Sequence, residues 1–407
     1  MLKDYARLPP IVYVLCVGAL INRAGSFIVP FMTLYLTETL GCSEFFATLA
    51  IGTFGLGSMV GSLVGGQLAD RIGRKPVMIA AVAGSAMIIL LFSTIRVAWP
   101  VPLITFTLAL VADAYRPAVS AMLSDIVPPT QRAHAFGLTY VAINLGFAIA
   151  PALAGTLADY SFTWLFVGDA ATSLAFASII LFAIPESLGR ASTPDAAIAP
   201  AHAGFWVSLG DMVRNRVLMT VCTAAFLIGV VYTQALSTLP LHMKALGLTK
   251  QQYGYTIAWN GGLIFLLQFL VTAVAVRYDR GRMLALGAVL TAIGFGLTEW
   301  ARVPWEFILT LVVWTLGEMI HAPLLSPVIA DIAPVERRAR YMGMLSLSFA
   351  AAHTVGAPLG GACLELLGAN AIWRSSFVIA GAAAVLYMVA ARSIGVQRSG
   401  TLRKSDS

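Results

Sequence analysis

The sequence predicts an all-α membrane protein whose twelve transmembrane helices form two six-helix bundles related by pseudo-symmetry. Three observations lead to this prediction: the hydropathy, the distribution of positive charge and an internal repeat. Of the 407 residues, 59% are hydrophobic and only 11% are charged, whereas a soluble domain carries about 25% charged residues. Apolar runs of about 20 residues, enough to cross a bilayer, recur along the whole chain.

The apolar runs define the spans and the domain boundaries. The predicted spans are 11–36, 43–69, 76–95, 99–125, 133–158, 163–185, 216–243, 250–276, 282–301, 304–331, 339–364 and 371–391. We expect residues 1–185 to form an N-terminal bundle, 216–392 a C-terminal bundle and 393–407 a cytoplasmic tail. The segment 186–215 contains Ser192-Thr193-Pro194-Asp195 and Pro200, a composition typical of a linker.

Positive charge indicates the orientation of the chain. Nineteen of the 26 Lys and Arg residues fall on the side of both termini, here called the inner side, and five fall on the opposite, outer side. Because cytoplasmic loops are enriched in Lys and Arg, we predict cytoplasmic termini and a multi-pass protein of the cell's inner membrane. The net charge of +7 is spread over short loops, so we expect no nucleic-acid partner.

The two halves of the chain repeat each other. Residues of the first half recur 206 positions later: Pro117, Asp125, Arg132 and Gly137 recur as Pro323, Asp331, Arg338 and Gly343. Such parallel repeats predict two bundles related by an axis along the membrane normal. The four cysteines, Cys16, Cys42, Cys222 and Cys363, are far apart, so neither a metal site nor a disulfide framework is expected.

Two motifs suggest a family. The stretch Gly66–Pro76 reads G-x-x-x-D-R-x-G-R-K between two apolar runs, and this resembles the signature loop of the major facilitator superfamily of membrane transporters. The fifth span places Gly137, Gly146, Pro151 and Gly155 at spacings that allow close helix packing. That pattern resembles the antiporter motif of the drug:proton antiporter (multidrug efflux) branch, with alanine in place of two glycines.

The resemblance implies a fold, a mechanism and a gate. It implies transport by alternating access, driven by a proton gradient without any cofactor, with the first, fourth, seventh and tenth helices lining a central cavity. It also implies an inner-side gating cluster of Asp70, Arg71, Gly73, Arg74 and Asp125. The sequence departs from the exporter pattern in one place, because Phe106 and Leu110 occupy the region where that branch usually carries an arginine.

Charged residues inside the spans are candidates for proton coupling. A charge at a helix centre costs about 2.5–3.5 kcal/mol, so it usually faces a wet cavity or a partner. Asp113 and Glu318 are the candidate proton carriers, and His321 could relay protons to Glu318 because its spacing allows a shared helix face. The alternative for Asp113 is a fixed ion pair with Arg23 or Arg116.

Further polar residues in the spans are candidates for substrate binding. They are Arg23, Arg116, Asn22, Asn144, Tyr232, Gln234, Trp259, Asn260 and His353. Hydrogen bonding between helices would explain the uncharged ones equally well.

Three functions fit these observations. The first is export of a small amphipathic or hydrophobic compound in exchange for protons, by a monomer in the lipid bilayer. The second is proton-coupled transport of an organic anion bound by Arg23 and Arg116. The third is a membrane receptor or lipid-moving protein without transport activity. We expect no enzymatic activity, because the sequence contains no nucleophile–base pair, glycine-rich phosphate loop or metal-ligand spacing.

Overall fold

A computed structural model describes residues 8–187, 212, 214–334 and 337–405, and its described part is built from helices. We number the spans α1 to α12 in chain order. They are α1 (Pro10–Ala24 and Ile28–Thr39), α2 (Glu44–Ile72), α3 (Arg74–Thr94), α4 (Val101–Asp113 and Tyr115–Ile126), α5 (Arg132–Tyr160), α6 (Phe162–Ala183), α7 (Arg216–Ser237 and Leu239–Ala245), α8 (Lys250–Ala275), α9 (Arg280–Leu297, continued by a 3₁₀ turn at Thr298–Trp300), α10 (Pro304–Ile332), α11 (Arg338–Leu367) and α12 (Ala369–Ser405).

Length and hydropathy identify eleven of these spans in the described residues as able to cross a membrane. The twelfth, α4, is divided at Ala114 into segments of 13 and 12 residues. Ala114 itself has helical dihedral angles, φ −61° and ψ −22°, so the chain continues in the same direction. The predicted number of spans and the all-α membrane fold are therefore confirmed.

Two of the predicted boundaries need comment. The last helix does not end near residue 392 but continues to Ser405, so residues 393–405 extend α12 where a separate tail is predicted. Most of the predicted linker 186–215 lies outside the described residues, as do residues 406–407.

Helix pairing repeats between the two halves. In the first half α1 packs against α5 and α6, α2 against α4, and α3 against α4 and α6. The second half repeats each of these pairs six helices later: α7 packs against α11 and α12, α8 against α10, and α9 against α10 and α12. The bundles meet each other along two seams, α2 with α11 and α5 with α8. This arrangement is the parallel repeat that the sequence predicts.

Glycines allow the helices to approach each other at both seams. A Cβ atom on Gly155 of α5 would lie 2.7 Å from the carbonyl oxygen of Lys250 in α8. A Cβ atom on Gly52 of α2 would lie 2.6 Å from the carbonyl oxygen of Thr354 in α11. Small residues are the usual means of close packing between membrane helices, so each seam is tight where it contains glycine.

The two seams are closed on the outer side, and the helices that form them separate on the inner side. The close approaches run from the outer helix ends to mid-membrane, where Gly55 of α2 contacts His353 of α11. Towards the inner end of α11, a Cβ atom on Gly343 would meet no atom within 4 Å. The hydrogen bonds and ion pairs that join the bundles in the described residues also lie at the outer helix ends, so the space between the bundles opens towards the inner side.

Candidate functional site

The N-terminal bundle contributes a charged cluster at the break in α4. Arg116 Nε lies 2.6 Å from Asp113 Oδ1, and Ser58 of α2 donates a hydrogen bond to the other carboxylate oxygen. The Asp113 side chain is 10% exposed, whereas that of Arg116 is 60% exposed. Asp113 is therefore paired within its own helix, as the ion-pair alternative predicts.

Arg23 of α1 faces the same region without a partner of its own. Its side chain is half-buried, and the described residues offer it neither a hydrogen bond nor an ion pair. The charges of Asp113, Arg116 and Asp169 all act on its guanidinium group. A guanidinium group presents five N–H donors, so Arg23 retains its full capacity to bind an acceptor.

Asp169 of α6 is a mid-membrane carboxylate that sequence reasoning missed. Its Oδ2 accepts hydrogen bonds from the backbone N–H groups of Phe27, at 3.1 Å, and Ile28, at 3.3 Å. These groups begin the second segment of α1, after the helix is interrupted at residues 25–27. Broken membrane helices need such acceptors for their freed backbone groups. The position of Asp169 inside an apolar run was the available signal.

Glu318 of α10 is the candidate carboxylate of the C-terminal bundle, one position before the repeat equivalent of Asp113. Asn260 of α8 donates a hydrogen bond of 2.8 Å to its Oε2 and contacts Thr315 Oγ1 at 3.1 Å. The charge of Glu318 also acts on Tyr140 of α5, across the seam between the bundles. Glu318 is half-buried, and no described residue forms an ion pair with it. Its environment therefore differs from that of Asp113.

The two candidate histidines lie in different environments. His321 is 2% exposed, and its Nε2 lies 2.7 Å from the hydroxyl group of Tyr387 in α12. The structure therefore does not join His321 to Glu318 by a hydrogen bond. His353 is exposed to the cavity, bonds through Nδ1 to Thr233 Oγ1 at 3.0 Å, and experiences the charges of Asp113 and Arg116.

Three other substrate-binding candidates are engaged in hydrogen bonds between or within helices. Asn22 Nδ2 donates to Ser173 Oγ of α6 at 3.0 Å. Asn144 Nδ2 donates to the carbonyl oxygen of Tyr140 at 2.8 Å. The hydroxyl group of Tyr232 lies 3.1 Å from Thr291 Oγ1 in α9. In this conformation Asn22 and Tyr232 connect helices, whereas Asn144 bonds within α5.

The last two candidates lie away from the open cavity. Gln234 is 3% exposed, and its Nε2 donates to the carbonyl oxygens of Val230 and Gly356, each at 2.9 Å. Trp259 is 51% exposed and lines a groove between α8 and the outer end of α10, where Pro304 and Ile308 form the opposite wall. The structure thus separates both residues from the charged groups.

The inner-side cluster surrounds Arg74 at the start of α3. Arg74 Nε lies 3.1 Å from Asp125 Oδ2, and Arg74 Nη2 lies 3.3 Å from Asp70 Oδ1. Glu186, which sequence reasoning missed, accepts the backbone N–H groups of Arg74 and Lys75 at 3.1 and 3.0 Å. Asp70, Arg74 and Asp125 belong to the N-terminal bundle, and Glu186 directly follows it.

Two other predicted gating residues lie beside this cluster. Gly73 joins α2 to α3 with φ +109°, in the region that glycine tolerates best. Arg71 is exposed and makes no side-chain hydrogen bond or ion pair with the described residues.

The C-terminal bundle repeats the central ion pair of this cluster. Arg280 Nη1 lies 2.6 Å from Asp331 Oδ2, and these residues follow Arg74 and Asp125 at the same offset of 206 positions. Asp279 also accepts the backbone N–H group of Arg282 and so caps α9. The second loop lacks most of the motif but keeps its Arg–Asp pair.

The predicted packing motif of α5 contacts two different helices. A Cβ atom on Gly146 would lie 2.5 Å from Arg23 Cβ of α1. Further out, the carbonyl oxygen of Pro151 contacts Gly254 of α8. Gly155 approaches the start of α8, as described above, and Gly137 is half-buried near the inner end. The motif thus packs α5 against its own bundle and against the opposite one.

Comparisons with known proteins agree with the fold. A family profile described as Major Facilitator Superfamily matches residues 15–267 and 235–406. The chain is 27% identical over 383 residues to the uncharacterized MFS-type transporter YttB of Bacillus subtilis, covering 91% of this chain and 93% of the relative. It is 24% identical over 399 residues to a Na(+), Li(+), K(+)/H(+) antiporter of Planococcus maritimus, covering 90% and 91%.

Solved structures show the same architecture. A crystal structure of a POT family transporter in complex with a thioalcohol-conjugated peptide superposes with a TM-score of 0.81 at 15% sequence identity, covering 95% of this chain and 97% of that one. At this identity the likeness concerns the fold alone.

Proposed function

The chain belongs to the major facilitator superfamily, and on that premise we propose that it exports a small amphipathic or hydrophobic compound in exchange for protons. The bundles rock about the central cavity, which is open to the inner side in the conformation described above. We further propose that Glu318 carries the proton.

The observation that carries this proposal is the isolation of Glu318. It is half-buried, receives one hydrogen bond from Asn260, and has no cationic partner among the described residues. Asp113, by contrast, is paired with Arg116 at 2.6 Å. A fixed counter-ion stabilises the ionised form of a carboxylate. A carboxylate without one needs a proton or a ligand to neutralise it when its cavity loses water.

The coupling follows from the cost of enclosing an unpaired charge. When the bundles close over Glu318, the cavity loses water and a bare carboxylate costs several kcal/mol. A proton on Glu318 removes that cost, and so does a substrate that offers a cation or a hydrogen-bond donor. The empty protein with an ionised Glu318 therefore does not change between its inward-open and outward-open states. It changes state with either a proton or a substrate bound, so the two are carried in opposite directions.

Two further findings support antiport. The relative from Planococcus maritimus is named as an antiporter that exchanges alkali cations for protons. The α5 pattern from Gly137 to Gly155 is similar to the antiporter motif of exporters. Neither of them identifies the compound that is exported.

Proton exchange in proteoliposomes tests the proposal. With a pH-sensitive dye and an imposed proton gradient, adding a substrate should release protons from vesicles that contain the wild-type protein. Glu318→Gln should abolish this release while leaving folded protein in the membrane. Glu306→Gln is the matched control, because Glu306 also lies on α10 but caps its outer end by accepting Val303 N–H. Equal release by wild type and Glu318→Gln would remove Glu318 from the mechanism.

A second candidate, organic-anion transport, is favoured by Arg23. Its guanidinium group faces the cavity region without a side-chain partner, and the exposed Arg116 lies close enough for the two charges to interact. Carboxylates and phosphates suit such a pair. The same vesicles distinguish the candidates: amphipathic cationic dyes should release protons under the first candidate, whereas only organic anions should change the internal pH under the second. Under the second, Arg23→Gln should raise the apparent KM for the anion.

A further inference from the structure

We propose that an electrostatic latch on the outer side, built on the internal symmetry of the chain, sets the balance between the inward-open and outward-open conformations. The latch consists of Glu38, Glu44, Asp159, Lys244, Lys250 and Glu365. It rests on the alternating-access part of the function proposed above and does not depend on which compound is carried.

Two of these residues clamp a helix of the opposite bundle. Asp159, at the outer end of α5, accepts the backbone N–H group of Gln251 in α8 at 3.3 Å. Glu365, at the outer end of α11, accepts the backbone N–H group of Phe45 in α2 at 2.9 Å. Each N–H group lies in the first turn of its helix, where backbone donors are unpaired and the helix dipole attracts a negative charge.

The two clamps are symmetry equivalents of each other. Glu365 follows Asp159 by 206 positions, and Gln251 follows Phe45 by the same 206. The same contact is therefore made once at each seam, although the acceptor changes from aspartate to glutamate and the donor residue from phenylalanine to glutamine. Two independent occurrences of one cross-bundle contact show that the outer ends are matched through these carboxylates.

Three of the other four residues pair opposite charges across the bundle interface. Glu38, at the outer end of α1, lies 3.0 Å from Lys250 Nζ and 3.7 Å from Lys244 Nζ. Glu44, the first residue of α2, experiences the like charge of Glu365 and, more weakly, the opposite charge of Lys244, and it forms no ion pair with the described residues. Lys244 also donates a hydrogen bond to Thr37 Oγ1 at 3.3 Å. Opposite charge thus meets at the ends of the helices that must separate when the outer side opens.

Symmetry explains why the signs differ between the halves. Lys244 follows Glu38 by 206 positions, and Lys250 follows Glu44 by the same offset. Contacts across a two-fold axis bring equivalent positions together, so equal charges there would repel. The chain carries two acids in the first half and two bases in the second, which turns that repulsion into attraction.

The latch exists only in the inward-open conformation. Opening the outer side separates α1, α2 and α5 from α7, α8 and α11, so each of these contacts must be exchanged for water. Exposed ion pairs contribute little individually, about 0–1 kcal/mol each, and a carboxylate at a helix start contributes about 0.3–2 kcal/mol. Their sum is comparable with the small energy differences that separate conformations of one protein.

Pulsed electron–electron double resonance, which measures the distance between spin labels on the two bundles, tests the clamps. Spin labels at Trp99 and Trp300, both exposed on the outer side, report the outer separation in a variant whose four native cysteines are replaced by alanine. Asp159→Asn and Glu365→Gln should each raise the outward-to-inward ratio about 2- to 30-fold. Glu306→Gln should leave it unchanged, because that carboxylate caps a helix within its own bundle.

Charge reversal tests the remaining four residues. Lys244→Glu with Lys250→Glu places acids on both sides of the interface and should lengthen the outer distance. Adding Glu38→Lys and Glu44→Lys restores opposite charges and should shorten it again.

Unchanged distances in both clamp variants, or a swap that fails to restore the wild-type distance, would overturn the latch. The measurement requires neither substrate nor proton gradient, so it stands or fails separately from the transport assay. The single clamp variants keep the test valid if a multiple variant does not fold.

Discussion

Removing the Asp169 carboxylate should destabilise the protein through α1 rather than through lost packing. Asp169, Phe27 and Ile28 are 7%, 5% and 4% exposed, so the two N–H groups that this carboxylate accepts have no access to water. Asp169→Ala leaves Ile28 N–H without an acceptor, at about 1–3 kcal/mol, whereas Phe27 N–H keeps its bond of 2.8 Å to the carbonyl oxygen of Gly25. The expected loss of stability is therefore about 1–3 kcal/mol.

A thermal unfolding experiment in detergent measures this loss. For a unit of about 150–250 residues, such as the N-terminal bundle, each kcal/mol lowers Tm by about 2–4 °C, so Asp169→Ala should lower Tm by at least about 2 °C. Asp169→Asn keeps an acceptor oxygen and loses only the charge-assisted part of the bonds, so its Tm should fall by less.

Asn22→Ala is the matched control for this experiment. Asn22 connects the same two helices, α1 and α6, through a single neutral hydrogen bond to Ser173, which contributes about 0.5–1.5 kcal/mol. Asp169→Ala should therefore lower Tm more than Asn22→Ala does. If Asp169→Ala unfolds within about 2 °C of wild type, the carboxylate does not hold the break in α1 together.

Three further predictions concern backbone and packing. Gly73→Ala forces alanine to φ +109° and should cost about 1–2 kcal/mol, seen as a lower Tm, whereas Gly66→Ala has room and should not. Gly361→Ala places a methyl group against α2 at the outer seam, and this overpacking costs about 1–3 kcal/mol. It should therefore favour the outward-open state, measured as a longer distance between the spin labels. Gly262→Ala, whose Cβ meets no atom within 4 Å, should leave that distance unchanged. Gln234→Ala should lower Tm without changing the KM for substrate, because its amide bonds to backbone carbonyl groups; a changed KM with an unchanged Tm would contradict this interpretation.

Hydropathy and repetition were sufficient to predict the spans, because both are properties of the residues themselves. The number of spans, their order and the parallel repeat of the two bundles follow from them. Side-chain partners were harder to predict. His321 lies three residues after Glu318, yet the helical rotation between them directs His321 to Tyr387 of α12 and Glu318 to Asn260 of α8. The spacing along a helix predicts that two side chains lie on adjacent faces of that helix. It does not predict which helix each of those faces packs against.

The carboxylates that sequence reasoning missed share one physical cause. Asp169, Glu186, Asp159 and Glu365 each bind backbone N–H groups at the start of a helix segment. Backbone donors are present at every residue other than proline, so such contacts leave no motif and no complementary charge in the sequence. A carboxylate of this kind can be found from the sequence only by its position, either inside an apolar run or at a repeat offset from another carboxylate.

The internal repeat also indicates where the two halves have acquired different chemistry. Arg74 with Asp125 and Arg280 with Asp331 keep the same ion pair at the inner side. In the cavity the halves diverge, because the position 206 residues after Arg116 is occupied by Ala322. The first half therefore neutralises its cavity carboxylate with a built-in arginine, and the second half leaves Glu318 without one. If both halves only held helices together, the ion pair would have served each equally well. The loss of the arginine from one half alone is what assigns the exchangeable proton to Glu318 in the proposed mechanism, and introducing an arginine there, Ala322→Arg, should block proton exchange as effectively as Glu318→Gln.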